Sequence, residues 1–272
     1  MIIIRLLYER KDVYMGGKKI VELKNIGMTY HTLDGETLAI DDISLDIFNG
    51  EIVTIVGPSG CGKSTLFSIL AGLIKPTSGS AFVNGKEVTG PNKNVGYMFQ
   101  RDYLFEWRTI LDNVLIGLEI QKKLNDETRE FAEKLLDTYG LSEFKHRYPR
   151  QLSGGMRQRV ALIRTLAIKP DILLLDEPFS ALDYHTRLSI ADEISSILKN
   201  ENKTAFMITH DIAEAISMGD RVVILTKRPA TIKEVLDIDL TCKEDTPLNC
   251  REAPEFRHYF NKIWKELDVH VK

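Results

Sequence analysis

The segment GPSGCGKST, residues 57 to 65, constrains this chain more than any other part of its sequence. It follows the short apolar run EIVTIV and precedes the apolar segment LFSILAGL, an order that predicts a strand, a glycine-rich turn and a helix. The spacing matches G-x-x-x-x-G-K-[ST], in which backbone N–H groups surround phosphates, the lysine reaches the β and γ oxygens, and the hydroxyl ligates Mg²⁺. We therefore predict a nucleotide-phosphate site, rather than a plain strand-to-helix turn, formed by Gly57, Pro58, Ser59, Gly60, Cys61, Gly62, Lys63, Ser64 and Thr65.

A second apolar run, DILLLDEP, ends in two acidic residues. A buried strand here would deliver Asp176 to its carboxyl end, where a carboxylate suits Mg²⁺, and the adjacent Glu177 could polarise an attacking water. Two acids after a strand are a weak signal by themselves. In the same chain as the phosphate loop, they predict nucleotide hydrolysis.

The hydrophobic pattern predicts an α/β fold. KIVELKNIGMTY and LAIDDISLDIF alternate like antiparallel strands, whereas VGYMF, DILLLD, TAFMIT and RVVILT are continuous apolar runs typical of a mostly parallel sheet that is buried on both faces. Between about residues 101 and 155 the pattern becomes helical: NDETREFAEKLLDTYG places apolar residues on one face and ends at Gly140. We expect a helical lobe inserted into one α/β domain over residues 20–272, preceded by a disordered extension, residues 1–19, of which residues 1–14 are dispensable.

Composition excludes several function classes. The formal net charge of −3 offers no basic field to nucleic acid or an anionic membrane, and no apolar run approaches the roughly 18 residues that cross a bilayer. The three cysteines, Cys61, Cys242 and Cys250, show neither metal-ligand spacing nor the even count of a disulfide framework, which fits a reducing, cytosolic compartment.

The segment QLSGGMRQRV, residues 151 to 160, places Ser153, Gly154 and Gly155 where a helix should begin, with no lysine after them. Unpaired N–H groups at such a helix start could hold an anion. The alternative is that the serine only caps the helix and the glycines form a tight turn. Both interpretations are open from these residues alone.

In combination these segments resemble the ATP-binding subunits of ABC transporters, and the resemblance covers nearly the whole chain from about Ile20 to Leu267. LSGGMRQR is similar to the family signature, SALD at 180 to 183 to its D-loop, and ITHD to its switch-histidine segment. The resemblance implies a P-loop NTPase core with an antiparallel β subdomain, and ATP and Mg²⁺ as ligands. It also assigns roles: Glu177, His210 and Lys63 in catalysis, Tyr30 in adenine stacking, Asp183 in the D-loop, and Ser64, Gln100 and Asp176 at Mg²⁺.

The resemblance further implies partners. It predicts a homodimer in which the signature contacts the partner's ATP, integral-membrane permease subunits, an indirect link to a solute-binding protein, and a peripheral location on the inner face of the cell membrane. LFEWRTILDNV and RPATIKEVLDIDL resemble the nitrate, sulfonate and taurine importer branch, although that branch usually has proline where this chain has Glu106. The alternative is a soluble ABC ATPase of the cluster-assembly or repair type; the repair types interrupt the motifs with coiled coils or zinc modules, which this sequence lacks.

Overall fold

The computed structural model describes residues 17–32, 35–180 and 182–267, and the predicted dispensable segment 1–14 lies outside these ranges. The strands in these ranges are β1 (Lys19–Thr32), β2 (Gly35–Phe48), β3 (Ile52–Val56), β4 (Ser78–Val83), β5 (Lys86–Glu87), β6 (Val95–Met98), β7 (Ile172–Asp176), β8 (Thr204–Ile208), β9 (Arg221–Leu225) and β10 (Ile232–Asp237). The helices are α1 (Lys63–Leu70), α2 (Ile110–Ile120), α3 (Asp126–Thr138), α4 (Gly154–Ala167), α5 (Tyr184–Asn200), α6 (Ile212–Met218), α7 (Pro247–Cys250) and α8 (Phe256–Leu267).

Two sheets form the α/β architecture that the sequence predicts. The larger sheet has the order β10-β9-β3-β8-β7-β6, in which the pairs from β9 to β6 are parallel and β10 runs antiparallel to β9. All five residues of β3 and all five of β8 are buried, as expected for strands covered on both faces. The smaller sheet has the order β2-β1-β4-β5 and is antiparallel.

The first strand begins one residue before the predicted domain start. Lys19, assigned above to the disordered extension, pairs with Phe48 at the end of β2. Its ammonium lies 2.7 Å from the Asp46 carboxylate. A charged residue at a strand start carries little hydrophobic signal, so the apolar pattern placed the boundary at Ile20.

Three α-helices, α2, α3 and α4, lie between β6 and β7 in the chain. α3 is capped by Asn125, whose side chain accepts a hydrogen bond from the Thr128 N–H, and the chain leaves it at Gly140 with φ +73°. The helix-stop prediction at Gly140 is therefore confirmed, because glycine adopts this left-handed conformation without strain. α2 and α3 pack on α4 and share its hydrophobic core.

The cysteines differ from the expectation based on their odd number. Cys242 and Cys250 form a disulfide, because the loop between them folds back and brings their Cα atoms to 4.8 Å. Cys61 is a free, buried thiol.

No helix within the described ranges has both the length and the apolar character needed to cross a membrane.

A buried ion pair joins the two sheets. Glu51 is fully buried at the start of β3; its carboxylate accepts hydrogen bonds from the Arg221 guanidinium at 2.9 Å and from the Phe48 N–H at 2.9 Å. Arg221 also donates to the Asp46 carbonyl oxygen, so it links β9 to β2. Burial raises the pKa of Glu51, and the Phe48 N–H and Arg221 oppose that shift.

We expect Arg221→Met to lower the free energy of unfolding by about 3 kcal/mol, because it leaves the buried carboxylate of Glu51 without its counter-ion. Without the arginine, the folded-state pKa of Glu51 rises further above the unfolded value. The folded variant then binds a proton that the unfolded chain does not, so the deficit relative to wild type narrows as pH falls. Urea unfolding at pH 8 and pH 5.5 measures both effects, with Glu51→Gln as the control. If the loss in unfolding free energy were the same at both pH values, the Glu51 carboxylate would not be the cause of that loss.

Candidate active site

The phosphate loop lies between β3 and α1, as the sequence predicts. Gly60 and Gly62 adopt φ +71° and +125°, which aligns the N–H groups at the start of α1. The Lys63 ammonium donates to the carbonyl oxygens of Gly57 at 2.8 Å and Pro58 at 3.0 Å, so it lies across its own loop. Cys61 is fully buried beneath the loop, where a Cβ on Gly57 would lie 3.1 Å from its sulfur. The cysteine is therefore a packing residue.

Parallel pairing brings the other predicted residues to the same edge of the sheet. Asp176, the last residue of β7, is in register with Ile208, the last residue of β8, and Leu175 is in register with Met98 at the end of β6. Gln100, Glu177 and His210 follow these strand ends by one or two residues.

Asp176 is a half-buried carboxylate with hydroxyl partners. The Tyr97 hydroxyl donates to its Oδ2 at 3.1 Å. Burial raises the pKa of Asp176, whereas hydrogen bonds from Tyr97 and Ser64 and the positive charge of Lys63 act in the opposite direction. The same environment raises the pKa of the Tyr97 hydroxyl, by burial first and then by the neighbouring carboxylate. Ser64 and Asp176 therefore face each other beside the phosphate loop.

Glu177 is the point at which three segments meet. Its Oε2 accepts a hydrogen bond from the Gln100 side-chain amide at 3.1 Å and lies 3.3 Å from His210 Nδ1. Gln100 also donates to the Ser180 hydroxyl at 3.1 Å. Glu177 has φ +46°, a left-handed conformation that is rare for a side chain of its size and is held by the hydrogen bond from its N–H to the Ile208 carbonyl at 2.9 Å.

A buried network holds the segment that carries His210. The Glu214 carboxylate accepts a hydrogen bond from the Thr209 hydroxyl at 2.6 Å, and that hydroxyl accepts one from the Asp211 N–H at 3.0 Å. Asp211 caps α6 through the Ala213 and Glu214 N–H groups. Burial raises the pKa of Glu214, and the Thr209 hydroxyl opposes that shift. The two residues that flank His210 are thus fixed, which limits where its ring can lie.

Tyr30 lies near the end of β1, with 38% of its surface exposed, and its hydroxyl is 3.1 Å from the Thr65 hydroxyl. An accessible aromatic face beside the phosphate loop has the geometry needed to stack on a base.

The signature residues begin α4. The Ser153 hydroxyl accepts a hydrogen bond from the Met156 N–H at 3.3 Å, so the capping interpretation holds in this conformation. Ser153 and Gly154 are exposed, while Gly155 is buried against α5, where a Cβ would lie 2.9 Å from Ile190. Asp183 caps α5 by accepting from the Thr186 N–H at 3.1 Å, and hydrogen bonds from the Thr186 hydroxyl and N–H lower the pKa of its carboxyl.

Two further residues of the site, Tyr97 and Ser180, were not predicted from the sequence; they contact Asp176 and Gln100, respectively. A tyrosine inside the otherwise apolar run VGYMF was an available signal, because a buried hydroxyl needs a polar partner. For Ser180 the available signal was its place at the start of the SALD segment, three residues after Glu177.

Comparison with known proteins agrees with this geometry. A family model described as ABC transporter matches residues 40–180, half of the chain. The chain belongs to the ABC transporter family. An uncharacterized ABC transporter ATP-binding protein from Bacillus subtilis is 44% identical over 91% of this chain and 95% of its own length. The nitrate import ATP-binding protein NrtD of Synechocystis is 41% identical, covering 89% and 93%, and the taurine import ATP-binding protein TauB of Roseobacter denitrificans is 37% identical, covering 90% and 94%.

The fold comparison agrees with the sequence comparison. A dimeric post-hydrolysis structure of the ATP-binding cassette MJ0796 with ADP and Pi matches with a TM-score of 0.69 and 31% identity, covering 81% of this chain and 99% of that one. The predicted P-loop NTPase fold is therefore confirmed. This ABC protein is an ATP-binding subunit with ATPase activity.

We expect Tyr30→Ala to weaken ATP binding by about 1 kcal/mol, roughly fivefold in Kd, because it removes the aromatic face available for stacking. Tyr30→Trp should retain the affinity. Tyr30→Phe is the control that loses only the hydroxyl contact to Thr65. Titration with a fluorescent ATP analogue and competing ATP gives the constants. Equal ATP affinity of the alanine variant and the wild-type protein would show that Tyr30 has only a structural role in β1.

Proposed function

We propose that this ABC protein hydrolyses ATP at the edge where β3, β6, β7 and β8 end, and that it thereby drives solute import through a separate membrane permease. The observation that carries the chemistry is the convergence of Gln100 and His210 on Glu177, beside the phosphate loop. The nitrate and taurine import relatives support import and favour a small oxyanion or sulfonate as the solute. They also disfavour the soluble alternative and a role with nucleic acid. We assign the protein to the inner face of the cell membrane as a peripheral subunit.

The residues beside the loop fit Mg²⁺. Ser64 and Asp176 present a hydroxyl and a carboxylate to each other, the hard oxygen ligands that this ion prefers. The described residues contain no group of three or more His, Cys, Asp or Glu residues that could hold a metal alone. A Mg²⁺ ion held by Ser64 and Asp176 would take its remaining ligands from water and phosphate oxygens, as is usual for this ion. When bound, the ion would neutralise developing phosphate charge, and Gln100 would reach it after leaving Glu177.

Glu177 is proposed as the general base, because its carboxylate lies beside the phosphate loop. Its strained backbone conformation is fixed by the hydrogen bond to Ile208. In the present conformation both Gln100 and His210 contact one of its oxygens. We propose that Gln100 releases that oxygen during hydrolysis, and that the Glu177 carboxylate accepts a proton from the attacking water. Lys63 and His210 then stabilise charge on the transferred phosphoryl group. Lys63 must first leave the two carbonyl oxygens of its own loop.

The signature is proposed to serve the partner's ATP in a homodimer. Its helix start is exposed and glycine-lined, and two-fold symmetry would place each signature against the other chain's phosphate loop. The dimeric MJ0796 cassettes support this arrangement. Asp183 lies beside the signature, because a Cβ on Gly154 would contact its neighbour Leu182.

The permease is proposed to bind an aromatic surface formed by Phe99, directly before Gln100, and by Tyr103 and Trp107, which follow it. These side chains are 41%, 60% and 75% exposed, which is unusual for large aromatic residues. In the proposed import system, this surface binds the permease, and a solute-binding protein delivers the solute to the permease.

We expect Glu177→Gln to reduce ATP hydrolysis by at least about 100-fold while ATP affinity stays near wild type, because the amide still accepts from Gln100 but cannot take a proton. ATP should then trap a dimer, measured by light scattering, with permease present if free subunits associate weakly. Glu143→Gln, on the surface of the helical lobe, is the control. Residual activity near wild type would exclude Glu177 as the base.

In the Glu177→Gln background, Ser153→Arg should abolish the ATP-dependent dimer while the monomer retains its affinity for ATP. Ser153→Asp separates capping from anion binding: aspartate caps helices well, yet it would place a negative charge against phosphate. It should therefore preserve the melting temperature and still abolish the dimer. A Ser153→Asp protein that dimerises normally would leave the serine with a capping role only.

Trp107→Ala should abolish ATP-driven solute uptake by cells that produce the protein with its permease, while ATP hydrolysis by the isolated subunit changes less than about twofold. The exposed indole contributes contact area to a partner rather than to the fold. Trp264→Ala, the other tryptophan and 56% exposed, is the control. Loss of hydrolysis to the level of Glu177→Gln would instead place Trp107 in the support of the active site.

A further inference from the structure

The loop that carries Trp107, residues 101–108, is held by hydrogen bonds to α4 and α2, two of the helices between β6 and β7. The Arg157 guanidinium of α4 donates to Asp102 Oδ2 at 2.8 Å. Arg164, two turns further along α4, donates to the carbonyl oxygens of Asp102 at 2.6 Å and Tyr103 at 2.8 Å. These three contacts hold the first half of the loop on α4, the helix that begins at the signature.

The second half of the loop is held on α2. Asn113 is fully buried; it accepts a hydrogen bond from the Phe105 N–H at 2.7 Å and donates to the Phe105, Arg108 and Thr109 carbonyl oxygens. The preceding Gln100, by contrast, bonds to Glu177 and Ser180 in the core. The hydrogen-bond partners therefore change between Gln100 and Asp102, from Glu177 and Ser180 to side chains of α4.

Arg157 lies one helical turn after Ser153, so the arginine that holds the loop and the proposed anion site share a rigid element. Glu106 adds a second acidic group, with its Oε1 3.9 Å from the Arg157 guanidinium. Because Glu106 is more exposed than Asp102, 54% against 16% of the side chain, its contact is the weaker of the two.

We propose that Asp102 and Arg157 form a positioning pair that holds the Trp107 loop on the signature helix, so that the permease-contacting loop and the signature move as one body. The proposal rests on the proposed function for its two ends, the permease surface and the signature. Arg157 forms the link between the loop and α4. Arg164 holds the loop backbone, and Glu106 is a second, weaker partner of Arg157. Arg157 is a positioning residue and does not contact ATP.

The first test measures the loop in the resting protein. Amide hydrogen exchange is followed at Leu104, whose N–H donates to Asp102 at 3.1 Å, and at Phe105. Arg157→Gln should speed exchange at both amides about tenfold or more, since the loop then opens locally. Asp102→Asn should do the same, and Arg157→Lys should restore part of the protection. Unchanged exchange in both Arg157→Gln and Asp102→Asn would overturn the proposal.

Arg159→Gln is the matched control. This arginine lies two residues further on the same helix, but it contacts Glu193 and the Tyr139 carbonyl oxygen instead of the loop. It should leave exchange at Leu104 and Phe105 unchanged. An equal effect of Arg157→Gln and Arg159→Gln would mean that any lost arginine loosens α4, and would also overturn the proposal.

The second test measures coupling. With Trp264→Phe and Glu177→Gln in place, Trp107 is the only fluorescent indole, and trapping the dimer with ATP should shift its emission. Adding Arg157→Gln should abolish the shift while light scattering still shows the dimer. A shift that persists would refute the linked motion. Failure of the Glu177→Gln protein to dimerise with ATP would count against the proposed dimer, whereas the exchange experiment would still decide the role of the pair.

Discussion

The parallel pairing of β3 with β8 and of β8 with β7 is the constraint on which the rest of the structure depends. It brings the phosphate loop, the acidic pair and the switch segment to one edge of the sheet. Buried apolar strands fix this register, since a slip of one residue would move every side chain to the opposite face. The proposed catalytic groups, which are distant in sequence, are therefore positioned by the packing of apolar strands.

At that edge the residues of the proposed active site contact one another. Lys63 donates to its own loop, and Gln100 and His210 both contact Glu177. Each of these contacts can be exchanged for one to phosphate, water or metal. In the proposed mechanism Gln100 leaves Glu177 during hydrolysis, and Gln100 directly precedes the loop held on α4. Gln100 therefore lies between the proposed nucleotide site and the proposed permease surface.

Much of this could be predicted from sequence because the signals are local. The phosphate loop, the apolar strands and the stop at Gly140 depend on a few adjacent residues whose conformations are strongly restricted. The contacts of Tyr97, Ser180, Arg157 and Glu214 could not be predicted, because they join polar residues separated by long stretches of chain in positions set by packing. The disulfide was missed for the same reason: only the folded loop brings Cys242 and Cys250 together. Ser153 shows a further limit, because a capping serine and an anion-binding serine have the same sequence pattern.

In the proposed homodimer each ATP lies between the phosphate loop of one chain and the signature of the other. Two copies joined by a flexible linker test it through single-turnover hydrolysis. When one copy carries Lys63→Ala and the other Ser153→Arg, the shared arrangement leaves one intact site, so hydrolysis should persist at about half the wild-type tandem amplitude. When both substitutions are in the same copy, no intact site remains and hydrolysis should be lost. The opposite pattern, with activity only when both changes share a copy, would show that each signature serves its own chain and would contradict this account.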